Sequence, residues 1–302
     1  MKYTITLSIT ALLFVSSFWG CEHYIRDISY DSFSDRQLPV GSEDSDDKGL
    51  IRITVASMLS TRELFTKYSN ITEWIRQKSG KDVELYFSSS YSDAYDRFVA
   101  GDVDMAFICS GLYVKGRRNG LFDLLVVPVI HGTKEYRAYL IAPKDLNTGT
   151  FSQLSRSKFL FTDSLSLTGY FYPLRRSISG SFTFEMAEFS GSHSNSIYLV
   201  NKGLAGGASV NGLVFEYVKR NYPEDVVNIR VLEKSVPFGV PPVVVCRSME
   251  DSSRFLLKDI LLAMDSDSSG KSSLEELGWD RFEPADDSLY TTVYEVVSEI
   301  SK

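Results

Sequence analysis

The sequence predicts an α/β fold of two lobes that are joined by two chain crossovers and separated by a cleft. Three observations lead to this prediction. The chain has 302 residues, of which 43% are apolar and 24% charged, and a globular chain of this length usually divides its core between two units. Strand and helix patterns alternate from residue 50 onward. An apolar strand predicted at 240–246 returns after a second set of such elements.

The first half of the folded part predicts three strands and two helices in alternation. The strands, at 50–56, 83–87 and 105–109, are short and rich in apolar residues. The helices lie at 64–79 and 92–100. The first helix has apolar residues at helical spacing, namely Leu64, Tyr68, Ile71, Trp74 and Ile75. This order favours a parallel sheet that helices cover on both faces.

The second half repeats the order of strand, turn and helix. Strands are predicted at 124–130, 137–142, 159–161 and 205–210, helices at 170–177, 197–202 and 213–221, and a terminal helix at 253–264. The strand at 137–142 can carry the chain into another lobe. We therefore place lobe 1 at 50–138 and 241–302, and lobe 2 at 139–240.

The N-terminal segment has the pattern of a secretion signal. Lys2 precedes an uncharged, largely apolar run, 3–19, and Gly20 and Cys21 follow. This predicts a signal peptide at 1–20, and a membrane-spanning helix stays as the alternative because the run is slightly short for one. Residues 17–21 (SFWGC) resemble a bacterial lipobox, which implies that Cys21 is acylated and anchors an extracytoplasmic protein to the membrane. The acidic segment 21–49 predicts a flexible tether.

Charge and cysteine usage exclude several classes of function. The formal net charge is -7, which argues against nucleic-acid binding because phosphate backbones are held by clustered Lys and Arg. Cys109 and Cys246 lie in apolar runs, which favours buried free thiols over a disulfide and leaves their pairing open. The three histidines have no metal-ligand spacing, so neither a metal nor a cofactor is predicted.

The loop 163–169 (DSLSLTG) is the strongest candidate for a binding site. It follows a predicted strand and opens a predicted helix. A helix N-terminus presents unpaired N–H groups and a partial positive charge, and hydroxyls beside it can complete a site for a small oxyanion. The alternative is that Ser166 or Thr168 only caps the helix. No Gly-Lys-Ser/Thr follows, so this is not a P-loop.

Other residues near turns are weaker candidates. His193 lies in a polar turn and is either a structural histidine or a ligand-binding residue. Tyr91 and Tyr136 lie near predicted turns, where a tyrosine suits a cleft wall because it combines apolar area with a hydroxyl. Ser192 and His193 are adjacent and do not form a catalytic dyad, and the chain has no G-x-S-x-G elbow. We therefore predict a protein that is not an enzyme, with a hydrolase as a remaining alternative.

The segment 265–276 (DSDSSGKSSLEE) fits the spacing of an EF-hand calcium loop. Position 8 of that loop, usually apolar, is Ser272, and Gly278 would cut the exiting helix short. We favour a solvated connection between two helices instead.

Five motifs in order resemble the phosphate/phosphite/phosphonate-binding family, the solute receptors of ABC importers, with the type II periplasmic binding fold. The resemblance runs from about residue 50 to 297. Its motifs are 101–107 (GDVDMAF), 166–173 (SLTGYFYP), 191–193 (GSH), 235–242 (SVPFGVPP) and 277–284 (LGWDRFEP). It implies a monomer that captures a small oxyanion ligand between its lobes and docks on an ABC permease in the membrane. A ligand-sensing lipoprotein of the same fold is the alternative.

The resemblance also implies the ligand-binding residues. Ser166, Thr168 and the amides around Gly169 would hold the oxyanion, and the side chains that complete the cage would be Tyr91, Tyr136 and His193. Two departures from the family concern the ligand. Receptors for aminoalkylphosphonates place acids where Ser194 and Gly206 stand here, and Leu167 replaces a loop hydroxyl. We therefore expect phosphate, phosphite or a simple alkylphosphonate, because a buried ammonium without an acid would be unpaired.

Overall fold

The structure is a computed structural model that describes residues 49–56, 61–146 and 149–300. The predicted signal peptide, the predicted acylation site Cys21 and all of the predicted tether except Gly49 lie outside these ranges. Within them, no helix has both the length and the apolar character needed to cross a membrane. The described part of the chain contains alternating strands and helices from residue 50 to residue 300.

The strands are β1 (Leu50–Ala56), β2 (Asp82–Ser88), β3 (Met105–Phe107), β4 (Phe122–Val129), β5 (Glu135–Tyr136), β6 (Ala138–Pro143), β7 (Lys158–Phe161), β8 (Met186–Phe189), β9 (Gly207–Asn211), β10 (Ile229–Lys234), β11 (Phe238–Gly239), β12 (Val243–Cys246) and β13 (Arg281–Glu283). The helices are α1 (Thr61–Ser79), α2 (Tyr91–Ala100), α3 (Ser110–Arg118), α4 (Tyr172–Ser179), α5 (His193–Asn201), α6 (Gly212–Asn221), α7 (Asp251–Leu262), α8 (Ser268–Leu277) and α9 (Thr291–Ile300).

The first sheet has the strand order β13-β4-β12-β3-β1-β2. Strand β1 pairs in parallel with both β2 and β3, as the βαβαβ pattern predicts. Strand β12, in contrast, lies antiparallel between β3 and β4, and β13 is antiparallel to β4. The parallel pairing predicted for the βαβαβ segment is therefore confirmed, and β12 and β13 add antiparallel pairs because the returning chain enters the sheet in the reverse direction.

The second sheet has the order β10-β6-β9-β7-β8. Between the two sheets, β5 on the outgoing crossover pairs antiparallel with β11 on the returning one, with Phe238 opposite Tyr136. The two crossovers therefore lie side by side. This pairing fixes Tyr136 at the connection between the two α/β halves.

Three hydrophobic clusters hold these layers together. One packs α1 and α7 on the first sheet and includes Ile53, Trp74 and Leu257. A second packs α5 and α6 on the second sheet. The third and largest joins α2, α3 and α9 with residues of the second sheet such as Phe159. The two halves therefore share packed apolar surface beside the crossovers.

Two helical regions differ from the sequence prediction. Helix α3 was not predicted, because Gly111 and Gly116 weaken its helical pattern. A Cβ on Gly116 would lie 2.0 Å from the Phe122 ring, so glycine is needed for packing there. The helix predicted to be terminal, α7, is followed by α8 and α9.

The calcium-like segment 265–276 lies mostly within α8. Asp267 caps this helix, because its carboxylate accepts hydrogen bonds from the backbone N–H groups of Ser269 and Gly270. Gly278 ends the helix in the left-handed conformation (φ 72°). Across the described ranges, no group of three or more His, Cys, Asp or Glu side chains could hold a metal ion. The connection between two helices that we favoured from the sequence is therefore shorter than predicted, because it consists only of the turn between α7 and α8.

Candidate functional site

The loop 163–169 lies between β7 and α4, and Ser166 organises its backbone. The Ser166 Oγ accepts a hydrogen bond from Gly169 N at 3.0 Å. This starts the helical turn Leu167–Phe171, which continues into α4. Ser166 is therefore a helix cap. Because Oγ is the acceptor in this bond, its own proton stays available for a further acceptor, so capping and anion binding are compatible.

Thr168 and Gly169 are held by the second sheet. Thr168 is 1% exposed, and its carbonyl accepts a hydrogen bond from Ser209 Oγ. A Cβ on Gly169 would lie 1.8 Å from Thr162 Oγ1, so no side chain fits at this position. Thr162 Oγ1 itself is buried and has no hydrogen-bond partner among the described residues. The loop is thus rigidly placed, with a buried polar atom that the protein does not satisfy.

His193 is the first residue of α5 and lies next to this loop. Its Nδ1 accepts a hydrogen bond from Asn211 N at 3.1 Å, so a neutral ring carries its proton on Nε2. Nε2 lies 3.5 Å from Ser166 Oγ. Burial lowers the pKa of His193 to about 3. The imidazole is therefore a neutral donor near pH 7, with its tautomer set by the backbone.

The low pKa of His193 predicts a pH dependence of stability. The folded pKa, about 3, lies below the ordinary value of 6.5, so the unfolded chain binds the additional proton between these values. The stability that the neutral His193 contributes is therefore fully present above pH 6.5 and is lost as the pH falls towards 3. When the pH is lowered from 7 to 4.5, we expect the unsubstituted protein to lose about 2–3 kcal/mol more of its free energy of unfolding than His193→Gln loses. This difference follows from about 1.4 kcal/mol per pKa unit.

Denaturant unfolding at the two pH values measures this difference. The matched control is His131→Asn, because His131 is exposed and has a left-handed backbone (φ 50°) that asparagine tolerates. The control should keep the pH dependence of the unsubstituted protein. Equal pH dependence in His193→Gln and the unsubstituted protein would show that His193 is not buried in its neutral form.

Tyr91 and Tyr136 come from the first half of the chain and reach the same loop. Tyr91 N donates to Asp163 Oδ2 at 3.0 Å. Its phenol is 3% exposed and makes no hydrogen bond to any residue that the structure describes. Burial raises the pKa of Tyr136, while the neighbouring hydroxyls of Ser110 and Thr168 act in the opposite direction. Both phenols therefore stay protonated and can donate to an anion.

The structure brings the six predicted binding residues together. We call this set the oxyanion cage, and its members are Tyr91, Tyr136, Ser166, Thr168, Gly169 and His193. Ser166 contacts His193, Tyr136 neighbours Thr168, and Tyr91 is tied to the loop through Asp163. The cage contains no lysine or arginine, so its donors are neutral.

Helix N-termini supply the positive potential that the cage lacks in side chains. Helices α2, α3 and α5 begin at Tyr91, Ser110 and His193, and a further helical turn begins at Leu167. Each N-terminus carries about half a positive charge. The Asp163 carboxylate accepts from the backbone N–H groups of Tyr91 and Leu165, so it organises the loop. The arrangement favours a small anion held without a counter-cation.

Sequence reasoning missed two polar side chains beside the cage. Ser110, the first residue of α3, donates to the Gly239 carbonyl at 2.7 Å and neighbours the Tyr136 phenol. Tyr68 was assigned to the apolar face of α1, but burial and the phenols of Tyr136 and Tyr68 raise the pKa of Tyr91, which places Tyr68 near the cage. Ser110 could have been found from the sequence, because its hydroxyl lies between a predicted strand and a helix, as the hydroxyls of 163–169 do. Tyr68 was missed because it occupies an apolar position in the helical spacing of α1.

The loop and α3 approach each other very closely. A Cβ on Gly111 would lie 2.4 Å from the Leu165 carbonyl oxygen and 2.8 Å from Leu167 N. The Cys109 thiol donates to the same carbonyl at 3.5 Å. Cys109 and Cys246 are both free thiols. The cage therefore lies where an element of the first sheet meets a loop of the second.

The structure separates Gly206, one of the two positions matched to the acids of aminoalkylphosphonate receptors, from the cage. Gly206 N donates to the Lys158 carbonyl at the start of β7, whereas the cage lies beyond the end of β7. Asn211, at the far end of β9, is the residue that contacts His193. Five strand residues, or about 16 Å, separate Gly206 from this contact. Gly206 is therefore too far from the cage to stand for a ligand-binding acid.

Two α/β halves joined by paired crossovers, with a hydroxyl-rich turn between the halves, define a type II periplasmic binding protein. A family model described as "ABC transporter, phosphonate, periplasmic substrate-binding protein" matches residues 53–290. The chain belongs to this family of extracytoplasmic substrate-binding proteins, as the resemblance predicted. The role of the family is substrate binding in transport.

Individual relatives agree with this assignment. The phosphate-import protein PhnD of Mycolicibacterium smegmatis is 28% identical over 127 residues, which span 40% of this chain and 40% of that protein. PhnD1 of Prochlorococcus marinus, solved in complex with methylphosphonate, has a TM-score of 0.77 at 19% identity and covers 84% of this chain and 99% of that chain. A binding-protein component of an ABC phosphonate transporter from Pseudomonas aeruginosa has a TM-score of 0.75 at 19% identity, over 82% and 85% of the two chains.

Proposed function

We propose that this protein captures the tetrahedral head of phosphate, phosphite or an alkylphosphonate in the oxyanion cage and delivers it to an ABC permease. One observation supports the proposal above all others. Six buried residues with neutral hydrogen-bond donors lie together between the halves, and several helix N-termini point to the same place. Neutral donors in a dry site replace the hydration shell of an anion without a competing counter-ion.

The capture mechanism that follows is closure over the ligand. Tyr91 and Tyr136 approach from α2 and the crossover, and Ser166, Thr168 and His193 approach from the second sheet. Rotation about the paired crossovers would separate these two groups and open the cage, and ligand binding would favour the closed form because only that form offers both groups at once. The bound form would then be recognised by the permease.

The membrane attachment and oligomeric state belong to the same proposal. An acylated Cys21 would hold a monomer at the membrane, and the acidic segment 21–49 would give it reach. The composition of that segment, with its excess of acidic residues, supports this proposal.

A titration series tests the ligand class. Isothermal titration of the purified protein with phosphate, phosphite, methylphosphonate and 2-aminoethylphosphonate should show binding of one or more of the first three. We expect 2-aminoethylphosphonate to bind at least tenfold more weakly than methylphosphonate, because the Asp163 carboxylate of the loop already accepts two backbone hydrogen bonds. Tight binding of 2-aminoethylphosphonate alone would contradict the proposal.

A further inference from the structure

A cavity of about 280 Å³ opens beside the oxyanion cage. Tyr68, Ile108 and Trp279 line it from the side of the first sheet, and Leu213 and Val214 of α6 line it from the side of the second. Pockets for small organic ligands begin at about 300 Å³, whereas one water occupies about 30 Å³ in the liquid. The cavity is thus far larger than phosphate or a methyl group requires.

None of the six cage residues lines the cavity, but residues that adjoin the cage do. Asn211 lines the cavity, and its backbone N–H is the group that fixes the His193 tautomer. Ile108 lines the cavity directly before Cys109, whose thiol contacts the loop. Tyr68 lines it as well. A group attached to an anion in the cage would therefore have the cavity next to it.

The buried part of the cavity wall is apolar and aromatic. The Tyr68 ring lies 4.9 Å from the Phe107 ring and 6.2 Å from the Trp279 ring, centroid to centroid. Tyr68, Phe107, Ile108 and Val214 are all buried. Such a wall gains free energy by covering hydrocarbon and offers no partner to a charge.

Charged residues also line the cavity, namely Lys67, Glu216, Arg220, Glu275 and Glu276. Lys67 Nζ donates to the Tyr217 hydroxyl at 2.9 Å, and Arg220 lies 3.2 Å from His131 Nε2. Arg220 and His131 are both exposed. These pairs bridge α6 to the first half of the chain at the cavity, which we call the chamber.

We propose that this chamber receives the organic substituent of the ligand, and that the ligand is a phosphonate or phosphate monoester whose substituent is apolar and at least as large as a phenyl group. This inference rests on the proposed function, since it needs the oxyanion head in the cage. It extends the compact ligands expected from the sequence to larger members of the same chemical class.

Titration calorimetry with methylphosphonate and phenylphosphonate tests the inference. We expect phenylphosphonate to bind at least tenfold more tightly, because its ring covers apolar wall that a methyl group leaves bare. Leu213→Trp should fill part of the chamber and lower the affinity for phenylphosphonate at least tenfold while methylphosphonate binds as before. Leu213 is partly exposed, so a larger side chain does not have to enter the packed core.

The matched control is Leu204→Trp, the same change at a side chain that is 61% exposed and outside the chamber. It should leave both affinities unchanged. Equal or weaker binding of phenylphosphonate by the unsubstituted protein, with methylphosphonate bound, would overturn the inference and leave the proposed function standing. An equal loss of both ligands in Leu213→Trp would also overturn it. Failure of every phosphorus oxyanion to bind would overturn both.

Discussion

Replacing Ser166 and Thr168 together by alanine is expected to weaken binding of methylphosphonate by at least about 30-fold. Each hydroxyl that donates to an anion in a buried site contributes about 1–3 kcal/mol. The cage has no lysine or arginine to compensate for the loss. Isothermal titration of the variant against the unsubstituted protein measures the effect directly. Thermal unfolding should also shift, since loss of the Ser166 cap on Gly169 N costs about 1 kcal/mol.

The control for this experiment makes the same two chemical changes on the surface. Ser252 and Thr183 are exposed, so Ser252→Ala with Thr183→Ala should preserve both affinity and stability. If the Ser166 and Thr168 double variant bound methylphosphonate as tightly as the control, the loop would not belong to the binding site. A loss of stability without a loss of affinity would assign Ser166 the capping role alone.

Substituting Gly111 by alanine is expected to weaken ligand binding by a comparable factor, through closure and not through a lost contact. The added methyl group would lie 2.4 Å from the Leu165 carbonyl oxygen and 2.8 Å from Leu167 N. Both are backbone atoms, which cannot rotate away as a flexible side chain can. The closed form must therefore widen between α3 and the loop, and an overlap of this size costs about 1–3 kcal/mol or more.

Gly149→Ala is the matched control, because a Cβ there meets only Gln153 Oε1 at 3.8 Å. Small-angle X-ray scattering with saturating methylphosphonate adds a second readout. We expect the Gly111→Ala protein to stay more extended than the control at the same ligand occupancy. Unchanged affinity and unchanged compaction would mean that binding does not require this close approach.

The candidate loop could be predicted because its signals are local. An apolar strand, β7, a hydroxyl-rich turn and a helix follow one another within 158–179, and the properties of a helix N-terminus depend on that short stretch alone. Tyr136 and His193 were different. Their patterns were ambiguous, and the family resemblance singled them out before the structure placed them beside Thr168 and Ser166.

Helix α3 and Tyr68 show why other features escaped prediction. Gly111 and Gly116 weaken the helical pattern of α3, and the reason for both glycines lies in segments far along the chain or across the core, the loop at 165–167 and the Phe122 ring. Tyr68 occupies an apolar helical position, and nothing in the periodicity distinguishes a core tyrosine from one whose phenol neighbours a binding site.

From the sequence alone follow the alternation of strands and helices in 50–109, the strand, hydroxyl-rich turn and helix at 158–179 and the absence of lysine and arginine from 163–169, because each depends on residues that are close together in the chain. The tertiary structure alone decided the reversed direction of β12, the tautomer of His193, the end of β9 that meets the cage and the chamber beside it. These features arise from contacts between segments tens to hundreds of residues apart, and local patterns do not encode such contacts.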